Sequence, residues 1–235
     1  GTLQNFDDLI ASRVAGMKGL GLSFDGINDN VWIDSQAAFN LTGSFAITFW
    51  AKTNDLEADL VRSGQFMVEA DNGFVRARAY IEGSWVNTPH VPFVMGEWNH
   101  YAVGYDGTKL RFYLNGTEVS AVSATGALGW EGLNTSLYVG GQPPSRMTAG
   151  EFDDLRLFNR VLTLQELDEV YQLRDSALVA RYGTDYAYQI TASKGPTEFN
   201  ATNLPPGLEV DFSTGLISGE ANATGSFNVD VTVSN

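Results

Sequence analysis

Short stretches of alternating apolar and polar residues, separated by turns, constrain the fold of this chain more than any other feature. Between residues 22 and 141 the turns are rich in Gly, Asn, Asp and Pro, a pattern typical of an all-β sandwich. The alternation places Phe45, Ile47 and Phe49 on one face of a predicted strand. The dipeptide Asn115–Gly116 predicts a tight hairpin between the two strands that flank it.

A strand followed by a short helix is predicted near residue 160. The helix starts at Thr163, whose hydroxyl can cap the first turn while Glu166 reaches back, which is the pattern of a capping box. Spacings of three and four residues give this helix a single apolar stripe that must pack on another surface. The stripe consists of Leu164, Leu167, Val170 and Tyr171.

Two acidic segments, far apart in the sequence, contain candidate cation ligands. Asp153 and Asp154 are adjacent in the predicted strand, so one of them faces inward, where a carboxylate needs a partner or a cation. Upstream, Asp25, Asn28 and Asp29 surround a glycine in a short turn, and calcium binds such mixtures of oxygen ligands. The alternative is a hairpin turn whose side chains satisfy local backbone groups, and the spacing alone favours that alternative.

Five ordered blocks of sequence cover roughly residues 1 to 173. They read GLSFDGINDNVWI, GSFAITFWAKT, GEWNHYAVGYDGTKLRFYLNGTEV, LYVGG and GEFDDLRLFNRVLTLQELDEVY. This series resembles the laminin-G-like, concanavalin A-like jelly-roll domains of bacterial secreted multidomain proteins. The resemblance implies a jelly-roll sandwich with a structural calcium ion between the upstream turn and the strand after residue 150, and it reverses the preference for a plain turn. The implied Ca²⁺ ligands are Asp25, Gly26, Asn28, Asp29 and Asp153.

The sequence changes character after the helix. The blocks YQITA, LPPGLEVDFSTGLISG and TGSFNVDVTVSN resemble the immunoglobulin-like, cadherin-like repeats of bacterial surface proteins. We therefore predict a jelly-roll domain at 1–175 and a small all-β module at 176–235. The second module is expected to end before its last strand, which would leave an unpaired sheet edge. Both modules are expected to belong to a longer chain with neighbouring domains.

Charge and cysteine content exclude several classes of function. The 235 residues include 14 basic and 28 acidic ones, a formal net charge of −14. This excess argues against nucleic acid and anionic membranes as partners, because both require basic patches. The absence of cysteine excludes a disulfide framework and thiol chemistry. The longest apolar runs are too short for membrane insertion.

A catalytic site is not predicted. The segment Glu151–Asp153 is similar to the Glu-x-Asp-x-x-Glu signature of glucanases that share the jelly-roll architecture. A retaining glycosidase needs two carboxyl groups, and Arg156 occupies the position of the second glutamate. An arginine cannot exchange protons near neutral pH, so this machinery is absent. His100 is predicted to be a buried core histidine that is hydrogen-bonded to the backbone, rather than a catalytic residue.

Tryptophans in polar, turn-rich surroundings are the candidate ligand contacts. Trp85 and Trp130 lie in such segments, and Trp32 is predicted to face away from the side of Val31 and Ile33. Exposed tryptophans favour a partner surface, although the same side chains could instead cover the edge of the sandwich. His90 belongs to an irregular Pro-containing loop that is a further part of this candidate rim.

These observations predict a non-enzymatic recognition module of a secreted or surface-displayed bacterial protein. Its ligand would be a glycan or an extracellular protein, and calcium would stabilise it. Two alternatives stay open. The chain could be the accessory carbohydrate-binding domain of a polysaccharide-degrading enzyme, or it could be a spacer without a ligand.

Overall fold

The computed structural model describes residues 2–6, 12–34, 41–132, 135–172, 182–183, 185–190, 197–225, 227 and 229–234. The chain divides into two compact units, Gly1–Asp175 and Ser176–Asn235.

The first unit contains two antiparallel sheets. The strands of sheet I are β1 (Thr2–Gln4), β4 (Asn30–Ile33), β6 (Ala58–Arg62), β7 (Phe66–Asp71), β8 (Phe74–Ile81), β9 (Ser84–Asn87), β10 (Val91–Pro92) and β14 (Leu137–Val139). Their order is β1-β4-β14-β6-β7-β8-β10, and β9 also pairs with β8. The strands of sheet II are β2 (Arg13–Ala15), β3 (Leu20–Asp25), β5 (Phe45–Thr53), β11 (Asn99–Tyr105), β12 (Lys109–Leu114), β13 (Thr117–Ser123) and β15 (Ala149–Phe158). Their order is β13-β12-β11-β5-β15-β3-β2.

The inner faces of the two sheets form one apolar core. Phe45, Ile47 and Phe49 are fully buried there, as the alternation along β5 predicts. Phe45 stacks on Phe66 of sheet I with 5.1 Å between ring centroids. Full burial of side chains of this size stabilises the fold by roughly 1.5–3 kcal/mol each. The predicted all-β jelly-roll sandwich is confirmed.

The predicted hairpin is also confirmed, because residues Asn115–Gly116 alone connect β12 to β13. Both residues have positive φ values, 51° and 79°, which is the geometry of the tight turns that favour this dipeptide. The Asn115 side chain also accepts a hydrogen bond from the backbone N–H of His100 at 2.8 Å. The turn is thereby tied to the neighbouring strand β11.

The helix α1 (Leu164–Gln172) begins after the predicted capping box. The Glu166 N–H donates to Thr163 Oγ1 at 3.2 Å, and the Thr163 N–H donates to Glu166 Oε2 at 2.8 Å. Leu167 and Val170 are buried, and Tyr171 stacks on Trp50. Leu164 is 73% exposed, so the packed stripe starts one turn later than predicted. Among the described residues, no helix is long and apolar enough to cross a membrane.

The second unit is an all-β module with its own core. Its strands are β16 (Asp185–Gln189), β17 (Glu198–Thr202), β18 (Leu208–Val210), β19 (Leu216–Glu220) and β20 (Asp230–Ser234). They form a three-stranded sheet, β16-β19-β18, and a two-stranded sheet, β17-β20. Ile217 and Ala221 are almost completely buried between them. Within the described residues β20 pairs with β17 alone. The expectation that the module ends before its last strand stays a prediction.

Candidate functional site

The alternation along β8 defines the outer face of sheet I, which is the face turned away from the core. Val75 and Ala77 are fully buried in the core. Because side chains alternate along a strand, Arg76 and Arg78 project from the opposite face, and Tyr80 follows on the same side. The outer face therefore presents cationic and aromatic groups in one row.

Trp85 lies at one end of this row, on the neighbouring strand β9. It is directly opposite Tyr80, and the two rings meet edge to face with centroids 5.4 Å apart. Arg78 Cζ lies 5.0 Å from the centroid of the Trp85 ring, within the range of a cation–π contact. The half-buried indole is thus oriented by an aromatic ring and by a guanidinium group.

A buried carboxylate organises the arginines of the outer face. The side chain of Glu69, on β7, is only 4% exposed and contacts three guanidinium groups. Its Oε1 accepts hydrogen bonds from Arg76 Nε at 2.7 Å and Arg78 NH1 at 3.3 Å, while Oε2 lies 3.3 Å from Arg146 NH2. A buried charge without partners is strongly destabilising, so these contacts hold Glu69 and the arginines in one arrangement.

Asp59 is a second buried carboxylate in the same network, with a side chain that is 2% exposed. It accepts hydrogen bonds from Arg62 NH1 at 3.1 Å and from Arg146 Nε at 2.7 Å. Burial works to lower the pKa of Arg146, but Asp59 and Glu69 outweigh this effect and raise the pKa. The guanidinium of Arg146 therefore stays charged and bridges the two buried acids.

A cavity of about 130 Å³ opens beside this network. Arg62 NH2 and Glu131 Oε2 form an ion pair of 3.1 Å at its wall. Tyr138 lines it as well, and pairs with Arg62 on one side and with Trp32 on the other. The remaining lining residues are Ser63, Gly64, Ser136 and Gln142. The cavity thus combines an aromatic ring with hydrogen-bond donors and acceptors.

Two of the tryptophans predicted to bind a ligand lie near this cavity. Trp32 is half-buried on the outer face, since its neighbours Val31 and Ile33 pack against the core. Its Nε1 is buried and has no hydrogen-bond partner among the described residues. Half-buried Trp130 lies between Gly129 and Glu131, whose amides donate to Tyr80 O and Gly64 O. That segment is thereby fastened across the end of sheet I.

His90 lies at the other end of the row. Its Nε2 is 2.9 Å from Asp71 Oδ2, and the following residue, Val91, pairs with Val75. Trp85 pairs five residues further along β8, a separation of about 16 Å at the usual rise of a strand. The structure therefore does not bring His90 into contact with the tryptophans, although both ends belong to the same sheet.

The turn after β3 is held together by its own hydrogen bonds. Asp25 Oδ1 accepts the backbone N–H groups of Ile27 at 2.7 Å, Asn28 at 3.1 Å and Asp29 at 3.3 Å. Burial works to raise the pKa of Asp25, but these three hydrogen bonds outweigh it and hold the pKa below its ordinary value. Gly26 has a φ of 75°, and a side chain there would collide with Ala149.

The predicted calcium site shared by this turn and Asp153 is not assembled. Asp25 pairs with Ala149, so Asp153 lies four residues further along β15, about 13 Å away at the usual strand rise. Two ligands of one calcium ion must lie within about 5 Å of each other. Instead, Asp153 Oδ2 accepts the Lys18 N–H at 2.6 Å. Among the described residues, no three His, Cys, Asp or Glu side chains could hold a metal, and calcium at the turn alone stays a prediction.

A bulge in β15 explains why the predicted alternation of Asp153 and Asp154 is wrong. Asp153 pairs with Trp50 and Arg156 with Thr48, so two residues of β15 lie opposite the single residue Phe49 of β5, which is one extra residue. Asp154 adopts a φ of 47° and forms an ion pair with Arg156 at 2.8 Å. Arg156, on the same strand, is therefore the partner of Asp154, whereas Asp153 accepts backbone N–H groups.

His100 is buried, as predicted, and its ring lies close to Tyr171 of α1, but within the described part of the chain the expected hydrogen bonds of the ring are not formed. Neither ring nitrogen has a hydrogen-bond partner among the described residues, and the ring packs near Trp50 and Tyr171 at 5.0 and 5.6 Å. Burial lowers the pKa of His100 to about 4, although the Asp154 carboxylate acts in the opposite direction and Arg156 adds to the lowering. The ring is therefore neutral at physiological pH.

The glutamate that resembles a glucanase acid is engaged elsewhere. Glu151 Oε1 lies 3.1 Å from Lys52 Nζ, directly across the strand pair. With Asp153 bound to backbone amides and Arg156 paired to Asp154, each polar side chain of this segment has a local partner.

Sequence analysis missed most of the polar residues of the outer face. Tyr80, Arg78 and Glu69 were not candidates, and neither were the cavity residues Arg62 and Tyr138. A usable signal was present in β8, which reads Phe-Val-Arg-Ala-Arg-Ala-Tyr-Ile and alternates small apolar residues with Arg and Tyr. Because side chains alternate along a strand, this pattern predicts one apolar face and one polar face.

The chain belongs to the concanavalin A-like lectin/glucanase superfamily, whose family model matches residues 25–168. An Ig domain family matches residues 172–235. Both findings confirm the resemblances drawn from the sequence blocks. No curated protein matches the chain in sequence.

Solved structures with the same fold are distant in sequence. Domain 4 of AbnA, a GH43 extracellular arabinanase from Geobacillus stearothermophilus solved with arabinotriose, is 16% identical with a TM-score of 0.56, over 73% of this chain and 82% of that one. The binding domain of Paraclostridial Mosquitocidal Protein 1 is 14% identical, with a TM-score of 0.60 over 82% and 54%. The binding domain of botulinum neurotoxin DC, solved with SialylT, is 12% identical, with a TM-score of 0.54 over 78% and 47%. This chain thus spans about half of the toxin domains that it resembles.

Proposed function

We propose that the jelly-roll unit is a non-catalytic, glycan-binding module of a secreted or surface-displayed multidomain bacterial protein. Its binding site would be the outer face of sheet I. The observation that carries the proposal is the indole of Trp85, held by Arg78 and Tyr80, on the same outer face as the cavity lined by Arg62 and Tyr138. Aromatic rings can stack on the apolar faces of sugars, and the charged side chains around them can bind hydroxyl groups.

The structural neighbours support a glycan rather than a protein ligand. The arabinanase domain was solved with arabinotriose and the neurotoxin domain with SialylT. Nucleic acid is a poor candidate because the chain has a formal net charge of −14. In this proposal the module contributes binding to a longer protein, and its neighbouring domains contribute other activities.

The absence of catalysis is part of the proposal. A retaining glycosidase requires one carboxyl group as nucleophile and another as acid or base. In the segment similar to a glucanase signature, Glu151 is paired with Lys52, and Arg156 occupies the position of the second acid. This segment therefore offers no free pair of carboxyl groups.

A second candidate function places the same binding site in an enzyme. The neighbour with arabinotriose is one domain of an arabinanase, so the chain could be the accessory carbohydrate-binding domain of a polysaccharide-degrading protein. The two candidates share the site and differ in the rest of the protein. A catalytic domain in the full-length sequence would favour the second candidate, and a series of adhesin-like repeats would favour the first.

A glycan array followed by calorimetric titration of the best ligand tests the proposal. The expected result is binding that Trp85→Ala weakens at least about tenfold, which corresponds to about 1.4 kcal/mol. Ile27→Ala is a suitable control, since Ile27 is 74% exposed and belongs to the turn after β3, outside the strands that carry the Trp85 site.

Two outcomes would contradict the proposal. Silence across the array would favour a protein ligand or a spacer. Binding that is equally strong in Trp85→Ala and in the wild type would show that a glycan binds at another surface.

A further inference from the structure

The charged groups of the outer face are balanced rather than predominantly basic. Four arginines lie there, and their partners are two buried acids, Asp59 and Glu69, and two more exposed ones, Asp71 and Glu131. The arginines are Arg62, Arg76, Arg78 and Arg146. A face with this many guanidinium groups would ordinarily suit an anionic ligand, but here each of them is already next to a carboxylate.

An anionic sugar would have to compete with those carboxylates. The side chains of Asp59 and Glu69 are only 2% and 4% exposed, so their arginines cannot turn toward an anionic ligand without leaving a buried carboxylate unpaired. Glu57, which is 68% exposed and 3.9 Å from Arg146, adds a fifth acidic group at the rim. Because the formal net charge of the chain is −14, the electrostatic field over this face repels a negatively charged ligand.

Hydrogen-bonding capacity nevertheless remains on the face. A guanidinium carries five N–H donors. Among the described residues, Arg78 directs its Nε to Asn87 and its NH1 to Glu69, which leaves the NH2 donors beside the Trp85 ring. The carboxylates keep unused acceptor positions, as in the exposed pair of Arg62 and Glu131. Paired donors and acceptors of this kind match sugar hydroxyls, which donate and accept at once.

We propose that the outer face of sheet I selects uncharged, hydroxyl-rich glycans and discriminates against sugars that carry carboxylate or sulfate groups. This inference rests on the proposed function, because it names the ligand class of the same site. Selection arises from the buried acids Asp59 and Glu69, which occupy the arginines that an anionic ligand would otherwise bind.

Matched pairs of oligosaccharides test the selection. Glucan, galactan and mannan oligosaccharides are titrated alongside their uronic-acid counterparts, each at about 20 mM and about 500 mM salt, concentrations chosen around the screening range of exposed charges. At low salt, the neutral oligosaccharide is expected to bind at least about tenfold more tightly than its uronic-acid counterpart. Salt is expected to narrow this preference, since it screens the repulsion of the anionic member.

Two variants locate the effect. Glu131→Gln removes one negative charge beside Arg62 and should improve binding of the uronic-acid member several-fold while leaving the protein folded, since Glu131 is 44% exposed. Glu118→Gln removes the same charge from β13 of sheet II, where the side chain is 39% exposed, and should change neither affinity.

The possible outcomes separate this inference from the proposed function. The proposed selection would be wrong if a uronic-acid oligosaccharide binds at least as tightly as its neutral counterpart. If salt and Trp85→Ala also weaken that binding, the binding site itself is retained. An equal response to Glu131→Gln and Glu118→Gln would overturn the role of the local acids. Failure of every neutral and anionic glycan to bind would remove the proposed function itself.

Discussion

Arg78 joins Trp85 to a buried acid, because its Cζ lies 5.0 Å from the centroid of the indole ring while its NH1 lies 3.3 Å from Glu69 Oε1. Glu69, Arg78 and Trp85 belong to three adjacent strands, β7, β8 and β9. The orientation of the half-buried indole thus depends on a carboxylate that is itself inaccessible to a ligand. Disturbance of the buried acid should therefore affect both stability and binding.

Glu69→Gln should lower the free energy of unfolding of the first unit by about 3 kcal/mol, since it leaves three guanidinium groups without the buried negative charge that they share. Urea unfolding followed by tryptophan fluorescence measures this change, because all 5 tryptophans of the chain precede residue 131 and report on the first unit. Glu57→Gln, at a side chain that is 68% exposed, is the matched control and should change stability by less than about 0.5 kcal/mol. Equal effects of the two variants would show that the buried network does not stabilise the sheet.

The stability of the first unit should decrease as the pH falls from about 6.5 to about 4, in part because of His100. Burial lowers the pKa of His100 from 6.5 to about 4, so protons bind the unfolded chain first and favour it over that range. The full contribution is about 3 kcal/mol, present above pH 6.5 and lost by pH 4. His100→Leu should remove this part of the pH dependence in urea titrations, whereas His90→Gln should retain it. A slope that is unchanged in His100→Leu would refute the assignment.

Asp25→Ala should lower the free energy of unfolding by about 1–2 kcal/mol even in the presence of EDTA, because Asp25 Oδ1 accepts three backbone hydrogen bonds in its turn. Thermal unfolding of the wild type and the variant, in EDTA and in calcium, distinguishes this role from metal binding. Asp153→Asn should not alter any response to calcium, since Asp153 lies far from the turn along β15. A loss of stability in Asp25→Ala that appears only with calcium would restore the metal as the main function of the turn.

Thr163→Ala should destabilise the first unit by about 1 kcal/mol through loss of the helix cap. The helix packs on sheet II through Tyr171, whose ring lies 5.6 Å from Trp50, so fraying at its start loosens a contact that fluorescence can detect. Thr163→Ser keeps the hydroxyl group and should retain nearly full stability in the same urea titration. If the serine and alanine variants lose stability equally, the hydroxyl does not cap the helix.

The features that could be predicted from the sequence were those determined by residues close together in the chain. The hairpin at Asn115–Gly116 needs two adjacent residues that tolerate positive φ, and the start of α1 needs Thr163 and Glu166 three positions apart. The inward face of β5 follows from the period of two along one strand. Local steric and hydrogen-bonding rules are sufficient for all of these.

The tertiary structure alone decided which distant side chains meet. Glu69 and Arg146 are 77 positions apart in the sequence, and they lie 3.3 Å apart because of the sheet order β14-β6-β7. Strand pairing also separates Asp25 from Asp153, because the register of β3 with β15 places Ala149 opposite Asp25. A bulge in β15 then brings Asp154 to Arg156. Strand order and register follow from the packing of the whole core rather than from any single segment. The family of the fold could therefore be predicted from blocks of sequence, whereas the set of side chains that meet on its outer face could not.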